Sequence, residues 1–422
     1  MFERTALPDG PRVISARLPG TRSLSVAAYV LAGSRVETRE HSGVAHFMEH
    51  LTFKGTAAYP TTRLVSEAIE GVGGTSNAAT DRESTVYWTR LPVREAERAV
   101  DVLGELIVRP LLADADIDRE REVIVEEIRS YRDDAAQHVY NVFDEAFFGD
   151  SPLGREIAGD EETVRTLPPA VIRAFWRDLY RPANTVVALA GDLDHATAVD
   201  LVARAFGSGN GPVPGWSPAP ERLPAGERYR VVERAGSQAH LCLGVPALRR
   251  DHPDTWTLEL LTAVLGDGSS SRLFLSVREE AGLAYDVHSF TTDYADCGTL
   301  QIYAGVDPDD LGAGLAAILT ELSRLRDEPV PAAELEKTRN YVRGRMELRL
   351  EESRHLASWI GVQEALHERV LTPDEAIACL DAVTAEQIHE LAGRLFRDET
   401  LTLAVIAPPR HGSRLDRALH LP

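Results

Sequence analysis

Between Ser208 and Glu227 the chain reads S-G-N-G-P-V-P-G-W-S-P-A-P-E-R-L-P-A-G-E. Prolines and glycines at this density can continue neither a helix nor a central strand, so the stretch reads as an interdomain linker. It cuts a chain of 422 residues into near-equal halves, and such a length exceeds what one hydrophobic core usually organises. The expected layout is an N-terminal domain over 1–208, a linker over 209–227 and a C-terminal domain over 228–422.

The two halves look like distant copies. A-N-T-V-V-A-L-A-G-D-L-D-H, from Ala183 to His195, has the character of E-T-L-T-L-A-V-I-A-P-P-R-H, from Glu399 to His411, each a strand ending in a turn. Alternating runs from Leu24 to Leu31 and from Ser84 to Arg90 read as strands. The segments 42–53, 62–71, 94–107, 116–147 and 170–178 read as helices. A duplicated α+β unit is the fold class this pattern implies.

Only the first half carries His46-Phe47-Met48-Glu49-His50. Two histidines four apart stand about one helical turn from each other, so both imidazoles can reach one metal ion. On a helical wheel with His46 at zero, Glu49 falls at about −60° and His50 at about +40°, while Val44, Phe47, Met48 and Leu51 crowd about 100–200°. One helix thus holds a metal face and a core face. The order H-x-x-E-H reverses the commoner H-E-x-x-H zinc protease motif, and either order puts a carboxylate beside two ligands where it can take a proton from water.

A third ligand is expected from Asp116 to Arg132, D-I-D-R-E-R-E-V-I-V-E-E-I-R-S-Y-R. Its apolar residues Ile117, Ile124, Val125, Ile128 and Tyr131 recur at helical spacing. Relative to Ile124, Glu127 lies at about −60° and Glu120 at about −40°, inside the apolar sector, whereas Glu122 and Glu126 fall outside it. Carboxylates on a core-facing stripe are expensive unless something positive meets them. Glu127 is therefore assigned as third zinc ligand and Glu120 as a supporting carboxylate behind the ligands; the bland alternative is a pair of stripe-edge glutamates reaching solvent or nearby arginines.

With these residues in view, the chain resembles the inverted-motif zinc metallopeptidases, whose members include pitrilysin, insulysin and mitochondrial processing peptidase. Ser42 to Thr56, S-G-V-A-H-F-M-E-H-L-T-F-K-G-T, is similar to that family's zinc helix, and so is Glu120 to Ile124 with Glu127 following. P-L-G-R-E-I-A-G (Pro152 to Gly159), Y-R-P-A-N (Tyr180 to Asn184), S-S-R-L-F (Ser270 to Phe274) and V-R-E-E-A-G-L-A-Y (Val277 to Tyr285) match in order. The length resembles the bacterial branch close to mitochondrial processing peptidase. The resemblance implies two homologous α/β sandwich domains, each an antiparallel-rich sheet packed against helices, the second a degenerate copy. It implies Zn²⁺, one per chain, on His46, His50 and Glu127, with Glu49 as general base.

The resemblance also gives the second half a role. An arginine and a tyrosine seven apart, here Arg278 and Tyr285, reach the substrate near the zinc in that family, where such donors stabilise a developing oxyanion. Without it, Arg278 would be a helix-end contact and Tyr285 a half-buried strand residue. G-G-T-S-N-A-A-T-D-R-E-S-T-V-Y-W (Gly73 to Trp88) resembles the edge strand to which a peptide adds, with Asn77, Ala78 and Thr80 where the family contacts substrate. The family's chambers are built from two facing two-domain units, so a homodimer, or a heterodimer with a related chain, is the expected assembly, with Arg278 and Tyr285 acting in cis or in trans. The expected function is zinc-dependent endopeptidase hydrolysis of unfolded peptides in a closed chamber. The alternative is a catalytically silent peptide-binding or assembly subunit; such relatives have usually lost part of the zinc motif, and this chain keeps all of it.

Composition narrows the partners. A formal net charge of −21 argues against nucleic acid, which needs a basic patch. If the acidic charge lines a substrate chamber it would favour basic peptides; a solvated acidic surface that keeps the protein soluble is the simpler reading. The start M-F-E-R-T-A-L-P-D-G has neither a basic n-region nor a long apolar run, so no signal peptide is expected, and no stretch of the sequence is long enough to suggest a membrane span. Cys242, Cys297 and Cys379 form no C-x-x-C pair or disulfide framework, which suits a cytoplasmic location.

Overall fold

The computed structural model describes residues 2–209, 228–412 and 415–422. The linker expected over 209–227 therefore lies, from residue 210 onward, outside the described residues.

The first sheet is built from β1 (Phe2–Ala6), β2 (Arg12–Arg17), β3 (Ser23–Val30), β4 (Thr75–Thr80), β5 (Thr85–Pro92) and β6 (Thr185–Gly191). Their order is β1-β2-β6-β3-β5-β4, with β2 and β6 parallel and every other pair antiparallel. The second sheet holds β7 (Tyr229–Glu233), β8 (Ala239–Ala247), β9 (Ala284–Asp293), β10 (Gly298–Val306) and β11 (Thr402–Ala407), in the order β7-β11-β8-β10-β9. Again one pair, β7 with β11, is parallel. β11 thus occupies in its sheet the place of β6 in the first, between a parallel and an antiparallel neighbour. The paired sequences ending at His195 and His411 are these two strands, and the chain is a duplicated α+β architecture of two mixed sheets packed by helices.

Strand composition explains why each sheet needs cover on both sides. Along β3, Leu24, Val26, Ala28 and Val30 join one core while Ala27 and Tyr29 join another, as the alternation of side chains in a strand requires. The first face packs against helices Ala96–Val108 and His195–Phe206 through residues such as Val102, Leu106, Val202 and Phe206. The opposite face, with Ile14, Ala16, Tyr29, Val186 and Ala188, is covered by Leu356, Ala357 and Ile360 of helix Ser353–Leu366. Gly361 lets that helix approach: a Cβ there would stand 2.5 Å from the Tyr29 ring. In the second sheet, Cys242, Tyr303, Ala404 and Ile406 are covered by Val139, Val142, Phe143 and Phe147 of helix Ala135–Phe148.

The compact units consequently differ from the two halves. The first takes residues through Arg129, those from Glu156 to the undescribed segment, and Glu347–Thr372; the second takes Ser130–Arg155, the residues that follow the undescribed segment through Met346, and Pro373–Pro422. The boundaries 1–208 and 228–422 miss this exchange, in which each half contributes a helix to the sheet of the other. The helix expected over 116–147 is also two helices, Asp114–Asp133 and Ala135–Phe148. Asp134 ends the first and caps the second by accepting from the Ala136 and Gln137 N–H groups, the work of an N-cap residue.

Candidate metal centre

Helix Val44–Thr52 buries Val44, Phe47, Met48 and Leu51 and leaves His46, Glu49 and His50 on its other side, as its spacing dictates. Its seat is tightly specified. Gly43, at φ +94°, precedes it, and a Cβ there would stand 2.6 Å from the Ala158 carbonyl oxygen; one on Gly159 would stand 2.5 Å from that of Ser42. Glu37, buried, accepts from the Gly43 N–H at 2.8 Å and the Ala45 N–H at 2.7 Å, so a carboxylate satisfies the free donors of the helix start.

Helix Asp114–Asp133 delivers the carboxylates. Ile117, Glu120, Ile124, Val125 and Ile128 are buried and Glu122 and Glu126 are exposed, as the wheel indicates; Tyr131, expected on the stripe, is 45% exposed. Glu127 Oε2 lies 3.2 Å from His50 Nε2 and 3.8 Å from His46 Nε2. The imidazoles meet edge to face, 4.7 Å between ring centres. Among the described residues, His46, His50 and Glu127 form the group whose donor atoms, all within 4.8 Å of one another, could hold a metal ion.

Two imidazoles and a carboxylate are the donors zinc takes, and bonds near 2.05 Å in a tetrahedral arrangement would put ligand atoms about 3.3 Å apart, against 3.2 Å for His50 with Glu127 and 3.8 Å for His46 with Glu127. A zinc ion held by these three donors would have a fourth position for water or substrate. Burial, then the neighbouring His50, pushes His46 down to about 4 against the pull of Glu127, which keeps its ring in the neutral form a metal ion needs. His50 is also lowered by burial, but Glu127, Glu120 and Glu49 outweigh that and raise it. Glu120, buried, has Oε2 3.2 Å from His50 Nδ1 and Oε1 2.7 Å from Lys54 Nζ. His46 Nδ1 has no hydrogen-bond partner among the described residues.

Glu49 stands beside the cluster. Burial raises its carboxyl, partly offset by the Thr80 hydroxyl, which donates to Oε2 at 2.6 Å. Behind it, Thr52 Oγ1 donates to the Glu49 carbonyl at 2.9 Å, and Tyr87 and Tyr180 join hydroxyls at 3.0 Å inside the core. Thr80 ends β4, the edge strand. Asn77 and Ala78 lie on the same strand, where the Ala78 N–H donates to Asn77 Oδ1 at 2.9 Å. A cavity of about 230 Å³ opens beside β4, lined by Phe53, Val65, Ile69, Gly74, Thr75 and Ser76 among others.

Arg278 and Tyr285 belong to the second unit. The Arg278 guanidinium lies over Phe274 at 4.8 Å and Tyr285 at 5.7 Å from the ring centres, and Tyr285 is 77% exposed. The segment Phe274–Glu280 winds as a π-helix, Gly282 turns at φ +65°, and β9 starts at Ala284. Sequence reasoning missed Glu37 and the Tyr87–Tyr180 pair, which carry no motif of their own. Lys54, within the F-K-G-T stretch, likewise has no periodic or motif signal that pairs it with Glu120.

A histidine helix, a distal glutamate and a duplicated sheet unit define the class of zinc metallopeptidases of inverted motif. The family models agree: residues 12–161 match the insulinase family, peptidase family M16, and residues 166–342 match the peptidase M16 inactive domain. An uncharacterized zinc protease of Streptomyces coelicolor is 35% identical over 99% of this chain and 92% of its own length. The uncharacterized zinc protease YmxG of Bacillus subtilis is 33% identical over 97% of this chain and 98% of its own. Among solved structures, a protease from Helicobacter pylori shares the fold at a TM-score of 0.89 and 21% identity, covering 97% of this chain and 99% of that one. The chain belongs to the M16 family of zinc metalloproteases.

Proposed function

We propose that this chain is a zinc-dependent endopeptidase acting on unfolded peptides. The observation that carries the proposal is the meeting, in one unit, of the His46, His50 and Glu127 donors with a buried Glu49 held by Thr80 of the edge strand. Bound by those three donors, a zinc ion supplies a Lewis acid that polarises the scissile carbonyl and makes water acidic enough to be deprotonated near neutral pH. Glu49 accepts the proton of the attacking water on its carboxylate and delivers it to the leaving amine. A raised carboxyl suits that double duty, since a base too acidic would not hold the proton.

β4 receives the peptide as an added strand through backbone hydrogen bonds, with Asn77, Ala78 and Thr80 at the substrate contacts, which favours extended, unfolded chains over folded ones. The cavity at Phe53 and Ile69 takes a substrate side chain from that strand. Arg278 and Tyr285 serve as oxyanion donors, reaching a zinc site of the same or of a partner subunit, and two copies of the chain form the chamber. A role like that of the bacterial proteins close to mitochondrial processing peptidase, in the cytoplasm, fits this reading. Among the described residues no helix is long and apolar enough to cross a membrane.

The test is cleavage of a quenched fluorescent peptide library before and after chelation. The proposal expects turnover that a chelator abolishes and one equivalent of Zn²⁺ restores. Zinc bound without turnover would favour the silent peptide-binding or assembly subunit.

A further inference from the structure

Three carboxylates converge on the histidine helix: Glu49 at its surface, Glu127 across the histidines and Glu120 behind His50. A divalent cation on two neutral imidazoles answers two of these three formal charges. Glu120 is the deepest, its side chain 2% exposed, and a carboxylate there is too costly to leave unpaired. Lys54 meets it, with Nζ 2.7 Å from Oε1, while Oε2 faces His50 Nδ1 at 3.2 Å. The neighbouring Arg121 is engaged elsewhere, donating to the Val164 and Leu167 carbonyls.

The backbone holds Lys54 in that place. Its N–H donates to the Leu51 carbonyl at 3.1 Å, just past the end of the zinc helix. Gly55 follows, so close to Pro60 that a Cβ would stand 2.8 Å from its carbonyl oxygen. The Gly55 carbonyl accepts from the Leu111 N–H at 2.9 Å, three residues before the helix that carries Glu120 and Glu127. One short turn therefore ties together the two elements that Lys54 and Glu120 join through their side chains.

Resting on the zinc reading of the cluster, we propose that Lys54 is a positioning residue of the metal centre. It pins Glu120 by one oxygen so that the other orients His50 with Nε2 toward the metal, and it supplies the remaining positive charge. An ion pair that served only to satisfy a buried carboxylate would, when broken, lower the stability of the metal-free protein without weakening zinc binding.

The experiment measures the zinc dissociation constant of the full chain by competition with a chromophoric chelator, alongside melting of the metal-free protein. K54M should weaken zinc binding by about tenfold, the lower end of what losing a partner behind a metal ligand costs. K54R should stay within about twofold of wild type. E120Q should lose a similar factor, and K54M/E120Q should bind no more weakly than E120Q alone, because both changes break one link. Zinc affinity unchanged in a folded K54M, or losses that multiply in the double variant, would overturn the role. If K54M does not fold, the comparison of E120Q with K54M/E120Q decides alone, since the buried charge is gone from both. A wild type that binds no zinc removes the metal reading and this inference together; a wild type that binds zinc as tightly as K54M removes only the inference.

Discussion

Glu49 shows how much a single residue's surroundings decide. Its place on the helix was legible, because 100° per residue puts it beside His46 and His50 and opposite Phe47 and Met48. Its partner was not, because Thr80 lies 31 positions along the chain and its side chain donates to Glu49 where the sequence suggested a substrate contact. A hydrogen bond to a charged acceptor contributes about 1.5–3 kcal/mol, so Thr80→Val should lower kcat by about tenfold or more with KM nearly unchanged. Thr80→Ser, which keeps the hydroxyl, should recover most of it. A loss confined to KM would make the Thr80 hydroxyl a substrate contact and not the partner that sets Glu49.

At the scale of the element, the helix Asp114–Asp133 is the clearest success of pattern reading. The stripe separated Glu120 and Glu127 from Glu122 and Glu126, because helical periodicity sets which face a helix buries, although Tyr131 at its end stays exposed. Its end was missed: periodicity continues through 133–135, and only the capping of Asp134 on Ala136 and Gln137 stops it. The seat of the zinc helix was equally hidden, because the Gly43 and Gly159 backbones approach each other across more than a hundred residues. Gly43→Ala would force a Cβ into a left-handed conformation and against the Ala158 carbonyl, costing about 2 kcal/mol or more. The expected result is a melting temperature lowered by several degrees together with weaker zinc binding; a variant that melts and binds zinc like wild type would show that the helix seat is not what fixes the ligands.

For the whole molecule, the matched strands β6 and β11 made the duplication legible, whereas the exchange of helices was not. An amphipathic pattern says that a helix has a face to bury and is silent about which sheet receives it. Helix Ser353–Leu366 covers Tyr29 and Ala188 of the first sheet, and helix Ala135–Phe148 covers Cys242 and Ile406 of the second. Residues 1–209 and 228–422 expressed separately should therefore each expose an apolar sheet face and lack a cooperative melt, while co-expression should restore a folded, zinc-binding complex. A half that melts cooperatively near the temperature of the intact chain would contradict this account of the fold.

Under the proposed reading, Glu49 moves the proton at a centre held by His46, His50 and Glu127. This role is tested most directly by measuring, on one preparation each of wild type and Glu49→Gln, bound zinc per chain and cleavage of an unfolded peptide. The expected result is about one zinc in both proteins and turnover lost by several orders of magnitude in the variant. Glu49→Gln that retains both zinc and wild-type turnover would contradict it.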